Sequence, residues 1–127
     1  MVKLFHFKLF IFSIIFSFNC NADWVQFGGS YNGNTFYVDL EKVKKIEEYV
    51  YWWQLIDKKY APPSVKFYIQ ADCKKFRVKI LSVYTYKKPM GRGEVESIKP
   101  PENWAYPPSN TPGEESLKAV CKHADKL

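Results

Sequence analysis

Three cysteines, two histidines and scattered carboxylates are the side chains of this 127-residue chain that could do covalent or acid–base chemistry. Cys73 and Cys121 are too far apart for a Cys-x-x-Cys redox pair, and no Cys/His set has the spacing of a zinc site. His123 falls near the end of an expected helix, where a solvated imidazole beside the C-terminal dipole is ordinary. Glu47-Glu48, Glu94 with Glu96, and Glu114-Glu115 suit solvated strand positions or a helix start. Gly91-Arg92-Gly93 is too short for a phosphate loop and suits a tight turn. A small hydrolase would need an acid or histidine with a shifted pKa inside a cleft, and no pattern points to one. The chain is therefore expected not to be an enzyme, and no cofactor or metal is implied.

The residues that suggest binding are basic. Lys66, Lys74, Lys75, Arg77 and Lys79 fall on two adjoining expected strands, and Lys87, Lys88 and Arg92 carry the charge to the far end of the second. With Tyr68 they would make a cationic strand face suited to acidic glycoproteins, sulfated glycans or anionic lipid heads. Lysines on strand faces also discourage edge-to-edge aggregation, so a solvated face is the competing explanation. Tyr68 near Arg77 could imitate a base-stacking site, but export makes nucleic acid an unsuitable partner.

Export is read from the first 22 residues. Lys3 and Lys8 precede the apolar run Leu9 to Phe18, which is half the roughly 20 residues that span a bilayer. Small residues at Cys20 and Ala22 favour cleavage before Asp23, with no transmembrane span after processing. The alternative is a lipoprotein signal with Cys20 acylated, although Ser17-Phe18-Asn19 matches that signal poorly. Cleavage removes two lysines and no acid, so a formal charge of +6 becomes +4. It leaves residues 23–127 as one small domain. Six of the ten Phe leave, while all four Trp and nine Tyr stay. These amphipathic aromatics suit half-wet sheet faces and contact surfaces. With Cys20 gone, Cys73 and Cys121 have a single possible pairing in an oxidising compartment.

Short strands must carry these residues. Trp24 to Phe27 ends at Gly28-Gly29, and Asn32-Gly33 signals a hairpin before Thr35 to Asp39. Glu41 to Lys45 is charged and suits a turn or a short helical piece. Glu48 to Asp57, β-branched and aromatic without strict alternation, reads as a central strand with both faces covered at least in part. After Pro62-Pro63, Val65, Phe67, Ile69 and Ala71 alternate with Lys66, Tyr68, Gln70 and Asp72. From Lys75 to Tyr86 the alternation predicts Phe76, Val78, Ile80, Ser82, Tyr84 and Tyr86 on one face, opposite Lys75, Arg77, Lys79, Leu81, Val83 and Thr85. These two runs should form an antiparallel hairpin about Cys73-Lys74. Pro89 to Gly93 reads as a loop and Glu94 to Ile98 as an edge strand.

Lys99 to Pro112 holds five of the eight prolines, so it should run over the surface, pinned by Trp104 and Tyr106. Thr111-Pro112-Gly113-Glu114 is a helix start, with Thr111 as cap and Glu114 placed to reach back to the cap's N–H. Leu117, Val120 and Cys121 share a face of that helix. The fold class is α+β, an antiparallel meander of about five or six strands with one C-terminal helix tied on by a disulfide.

In this order the features resemble the bacterial surface-adhesin E-like family. The resemblance rests on Asp23-Trp24-Val25 after the leader, Thr35 to Asp39, Tyr51-Trp52-Trp53-Gln54-Leu55-Ile56-Asp57 and Ala71-Asp72-Cys73. It continues through Leu81 to Tyr86, Pro89 to Val95, Trp104, and Ala119-Val120-Cys121. It implies an antiparallel sheet, a C-terminal helix and a disulfide at Cys73 and Cys121. It also implies adhesion to host matrix glycoproteins such as vitronectin and laminin, through a strand segment that Ser64-Val65-Lys66, Tyr68 and Cys73 match. The expected function is that of an exported binding protein, periplasmic, secreted or held at the cell surface. It would use the basic face on matrix glycoproteins or acidic glycans, and it could form a homodimer. The alternative is a periplasmic accessory module that packs on another envelope protein through Trp52, Trp53, Trp104 and Tyr106.

Overall fold

The structure is a computed structural model that describes residues 23–127. The expected leader and Cys20 lie outside the described residues. Seven strands make one antiparallel sheet: β1 (Val25–Gln26), β2 (Thr35–Val38), β3 (Lys44–Ile46), β4 (Tyr49–Asp57), β5 (Ser64–Asp72), β6 (Arg77–Lys88) and β7 (Arg92–Ile98). Among the described residues a single helix, α1 (Pro112–Ala124), follows them. The spatial order is β1-β2-β4-β5-β6-β7. β3 shares with β2 the same edge of β4, pairing Tyr49 to Tyr51 while β2 pairs Gln54 to Asp57.

The local sequence explains the turns. Asn32 (φ 53°) and Gly33 (φ 80°) are both left-handed between the bridged Tyr31 and Asn34, the geometry for which Asn-Gly is suited. The charged stretch after β2 becomes a single 3₁₀ turn, Leu40–Lys42, and then β3. This strand was not expected: Lys44, Lys45 and Ile46 are all exposed, so no buried side imprints a period on them.

Register separates the two faces. Phe36, Val38, Val50, Trp52, Ile69, Ala71 and Val78 point to one side, where Leu117, Val120 and Ala124 of α1 complete the core. We call this the helix face and its opposite the open face. The Cys73–Cys121 disulfide ties α1 to the end of β5. The helix begins as its residues dictate, with Thr111 Oγ1 accepting from Glu114 N at 3.3 Å. Glu114, however, reaches Asn110 N (3.3 Å) and Lys118 Nζ (3.3 Å) rather than the cap's own N–H. Asn110 has turned left-handed (φ 64°) and presents its amide instead.

One irregularity corrects the expected faces of β6. Tyr68 pairs Ser82 while Ile69 pairs Ile80, so Leu81 is an extra residue in the ladder. The bulge inverts the alternation beyond it. Val78 and Ile80 lie on the helix face as expected. Ser82, Tyr84 and Tyr86 instead lie opposite Tyr68, Lys66 and Ser64 on the open face, while Val83 and Thr85 join Phe67 and Val65.

The Pro-rich segment also behaves unevenly. Ala105 bridges Val78 through two 2.8 Å backbone bonds, and Trp104 packs on the open face. Tyr106 does not pin the segment, being 65% exposed.

Candidate functional site

The open face carries an aromatic row with no helix above it. On β4 the period-two residues Tyr49, Tyr51 and Trp53 share this side, because Val50, Trp52 and Gln54 are drawn into the core. Tyr68 of β5 lies directly across from Trp53, their ring centroids 4.7 Å apart. Tyr84 of β6, placed here by the Leu81 bulge, follows at 6.2 Å from Trp53. Tyr51 stacks with Tyr68 at 6.2 Å, and its hydroxyl accepts from Gln70 Nε2 at 3.0 Å. All five rings are half-buried, so they present edges and part-faces to solvent.

Cations sit on these rings. Lys66 Nζ is 4.6 Å from the Trp53 ring centroid and the Arg77 guanidinium 4.4 Å from that of Trp104, within the range in which the ring quadrupole attracts a positive charge. Burial, and then the neighbouring charge of Lys42, lower the Lys66 pKa below the ordinary lysine value. Arg77 is held from the other side by Asp72, whose Oδ2 accepts from Arg77 Nε at 3.3 Å. Asp72 Oδ1 accepts from the Lys75 backbone N–H at 3.2 Å. The Lys75 bond first, and Arg77 after it, keep the Asp72 carboxyl below the usual aspartate range. Trp104, packed against Tyr49 at 5.6 Å, is thus fixed by a chain that starts at the β5–β6 turn.

The residues singled out by sequence do not form one patch. Lys66, Tyr68, Arg77 and Lys79 share the open face, Arg77 and Lys79 lying opposite Asp72 and Gln70. Lys74 and Lys75 are exposed in the turn beside the disulfide. Lys87, Lys88 and Arg92 are at the far end of β6 and β7, roughly 35 Å away along an eleven-residue rise. There Lys87 lines a cleft of about 660 Å³ with Glu94 and Glu96, so its charge is offset. At this same end the Pro89–Gly91 turn folds over Leu55: Met90 N donates to Asp57 Oδ1 (2.8 Å) and Gly91 N to Ser64 Oγ (2.9 Å).

Other expectations fare differently. Trp52 is fully buried beneath α1 and is not available as a contact surface. Lys42, Tyr51, Trp53, Tyr84 and Trp104 were not placed with the basic face. Tyr49-x-Tyr51-x-Trp53 carried a period-two signal that would have found three of the aromatic positions. Lys42 and Trp104 reach the site through long-range chain folding that no local pattern reports.

A family model described as surface-adhesin protein E matches residues 24–122. Solved structures of Haemophilus influenzae protein E are similar in fold. One has a TM-score of 0.61 at 14% identity, covering 82% of this chain and 97% of that one. A second crystal form gives 0.60 at 14% identity, with 77% and 96% covered. The protein from a non-typeable strain gives 0.58 at 14% identity, with 84% and 89% covered. No curated protein matches the chain.

Proposed function

The chain belongs to the surface-adhesin protein E family, and from that premise we propose that it is an exported, adhesin-like binding protein. Its open face meets matrix glycoproteins through their acidic glycans. The observation that supports this most is the coincidence of half-buried aromatic rings with ring-capping cations on the face that α1 leaves uncovered. Aromatic faces stack on the apolar faces of sugar rings, while Lys66, Arg77 and Lys79 supply charge for acid groups. Family membership points to the cell surface as the place where this face works.

The test is binding to immobilised laminin across a salt series, for the wild type and for K66E/K79E. These two lysines are chosen because Arg77 is tied to Asp72 and Trp104, so changing it would also loosen the fold. Affinity should fall steadily between low and physiological salt. The double variant should lose roughly tenfold or more while staying folded, with the lost Lys66–Trp53 contact lowering the melting temperature by only a few degrees. Salt-independent binding, or an unaffected K66E/K79E, would refute the reading.

A further inference from the structure

We infer that Lys42 and Lys66, one on each side of Trp53, form an anion subsite for the acid group of an anionic pyranose, whose ring lies along Tyr68 and Tyr84. The inference rests on the open face being the binding face and specifies where on that face the charge is read.

The order of residues across the sheet carries the argument. Asp39 follows β2 and donates its N–H to the Trp53 carbonyl at 3.3 Å, which places the 3₁₀ turn Leu40–Lys42 on one flank of Trp53. Tyr68 and Lys66 of β5 lie on the other flank, and Tyr84 pairs directly with Lys66. Lys66 leans back over the indole, Nζ at 4.6 Å, and Lys42, on the turn beyond the opposite edge of β4, is near enough for its charge to act on the Lys66 ammonium. Like charges so placed repel, and an anion between them relieves that repulsion.

A buried carboxylate helps hold one of them there. Asp39 is 1% exposed, and neither of its oxygens has a hydrogen-bond partner among the described residues. Lys42 Nζ, on a side chain 58% exposed, stands 3.9 Å from Asp39 Oδ2. That distance is an ion pair without a tight hydrogen bond. Lys42 is thus anchored by charge while its ammonium remains free to donate outward. A uronate carboxylate or a sulfate ester supplies the acceptor oxygens that two ammonium groups can share. The sugar ring then has Tyr68 and Tyr84, 4.7 and 6.2 Å from Trp53, as its apolar floor. A neutral sugar would meet the same floor and leave the Lys66 ammonium without an acid group, with Lys42 held only by its loose pair to Asp39.

The experiment is an NMR titration of the ¹⁵N-labelled domain, following the four tryptophan indole N–H signals. Three hexasaccharides serve as probes: hyaluronan (carboxylate only), chondroitin sulfate (carboxylate and sulfate) and chitohexaose (neutral). The Trp53 signal should move with both anionic probes, while the buried Trp52 signal should not. Chitohexaose should bind about tenfold more weakly or not at all. K42Q and K66Q should each weaken binding about fivefold to tenfold, K66R should restore most of it, and K87Q/K88Q should change nothing. Movement with chondroitin sulfate alone would assign the recognised group as sulfate; movement with both assigns the carboxylate. If K42Q and K66Q bind as the wild type does, or if Trp53 stays still while laminin binding persists, the subsite is wrong and the wider reading of the open face survives. If neither the anionic probes nor laminin binds, both fall together.

Discussion

Removing the Cys73–Cys121 bond should cost this fold more stability than most single core substitutions. The bond closes a loop of sequence separation 48. Chain-entropy reasoning for a loop of that length gives about 4 kcal/mol at 25 °C, as an upper value because reduced chains keep some compactness. α1 would not simply detach. Leu117 and Val120 are fully buried, and burying two such side chains contributes about 3 to 5 kcal/mol. The reduced protein should therefore stay folded at 25 °C but unfold at a urea concentration about 2 to 3 M lower, for an m-value near 1.5 kcal/mol/M. The assay is urea unfolding followed by tryptophan fluorescence, on the oxidised wild type, the reduced wild type and C73S/C121S. The two dithiol-free or reduced forms should agree, with m nearly unchanged. A loss below about 1 kcal/mol would refute the loop argument. Separate transitions for α1 and the sheet would refute the claim that the helix face is one cooperative core.

Further outcomes are expected from single positions. Leu117→Ala opens a cavity between α1 and the sheet and should cost about 2 to 5 kcal/mol in the same urea assay. Gly33→Ala places a side chain at φ 80°, 2.6 Å from Lys59 Cδ, and should cost about 1 to 2 kcal/mol by forcing the Asn-Gly turn. The Asp72 carboxyl is held low in the folded state, so its contribution is complete above the unfolded value near 4 and disappears as pH falls through the folded value. D72N should flatten that acid limb of the stability–pH curve. The Lys66 pKa is lowered; folding therefore favours its neutral form, and stability should rise with pH from the folded value toward the unfolded value near 10.4. Over the same window glycan binding should weaken, a loss that K66R removes.

The architecture was legible where a residue's neighbours in sequence decide its structure. The Asn32-Gly33 hairpin, the Thr111 cap and the Val65 to Ala71 alternation are local chemistry, and each has its expected place. The pairing of Cys73 with Cys121 followed from counting once Cys20 is set aside. Legibility failed where a long-range constraint overrides the period. Nothing in Ile80-Leu81-Ser82 announces a bulge, yet that one residue moves Tyr84 and Tyr86 to the opposite face. Trp52 and Trp53 read alike as aromatic candidates for contact, although a strand must send neighbours to opposite sides. Strict attention to that rule would have separated the buried ring from the half-exposed one. The basic face was overextended for a related reason: the lysines from Lys74 to Lys88 look continuous in a string of letters, but β6 runs the length of the sheet and sets Lys74 and Lys75 at one end and Lys87 and Lys88 at the other.

The uncovered aromatic face needs its own physical account, because a sheet side rich in rings normally acquires a second layer. Here the rings cover one another: Tyr51, Trp53, Tyr68 and Tyr84 pack edge to part-face, and Lys66 lays its stem across them while keeping its ammonium near water. That arrangement is soluble yet unfinished, since each ring retains area that a flat apolar partner could still remove from water. The cations decide which partner does so. A purely apolar surface would have to desolvate Lys66 and Arg77 without compensation, whereas an acidic sugar covers ring and charge together. Selectivity for anionic ligands would thus arise from the cost imposed on neutral ones as much as from attraction. This predicts that removing the cations broadens the ligand range while weakening binding. A K42Q/K66Q variant should discriminate poorly between hyaluronan and chitohexaose hexasaccharides. Undiminished discrimination in that variant would show that the charge is read elsewhere.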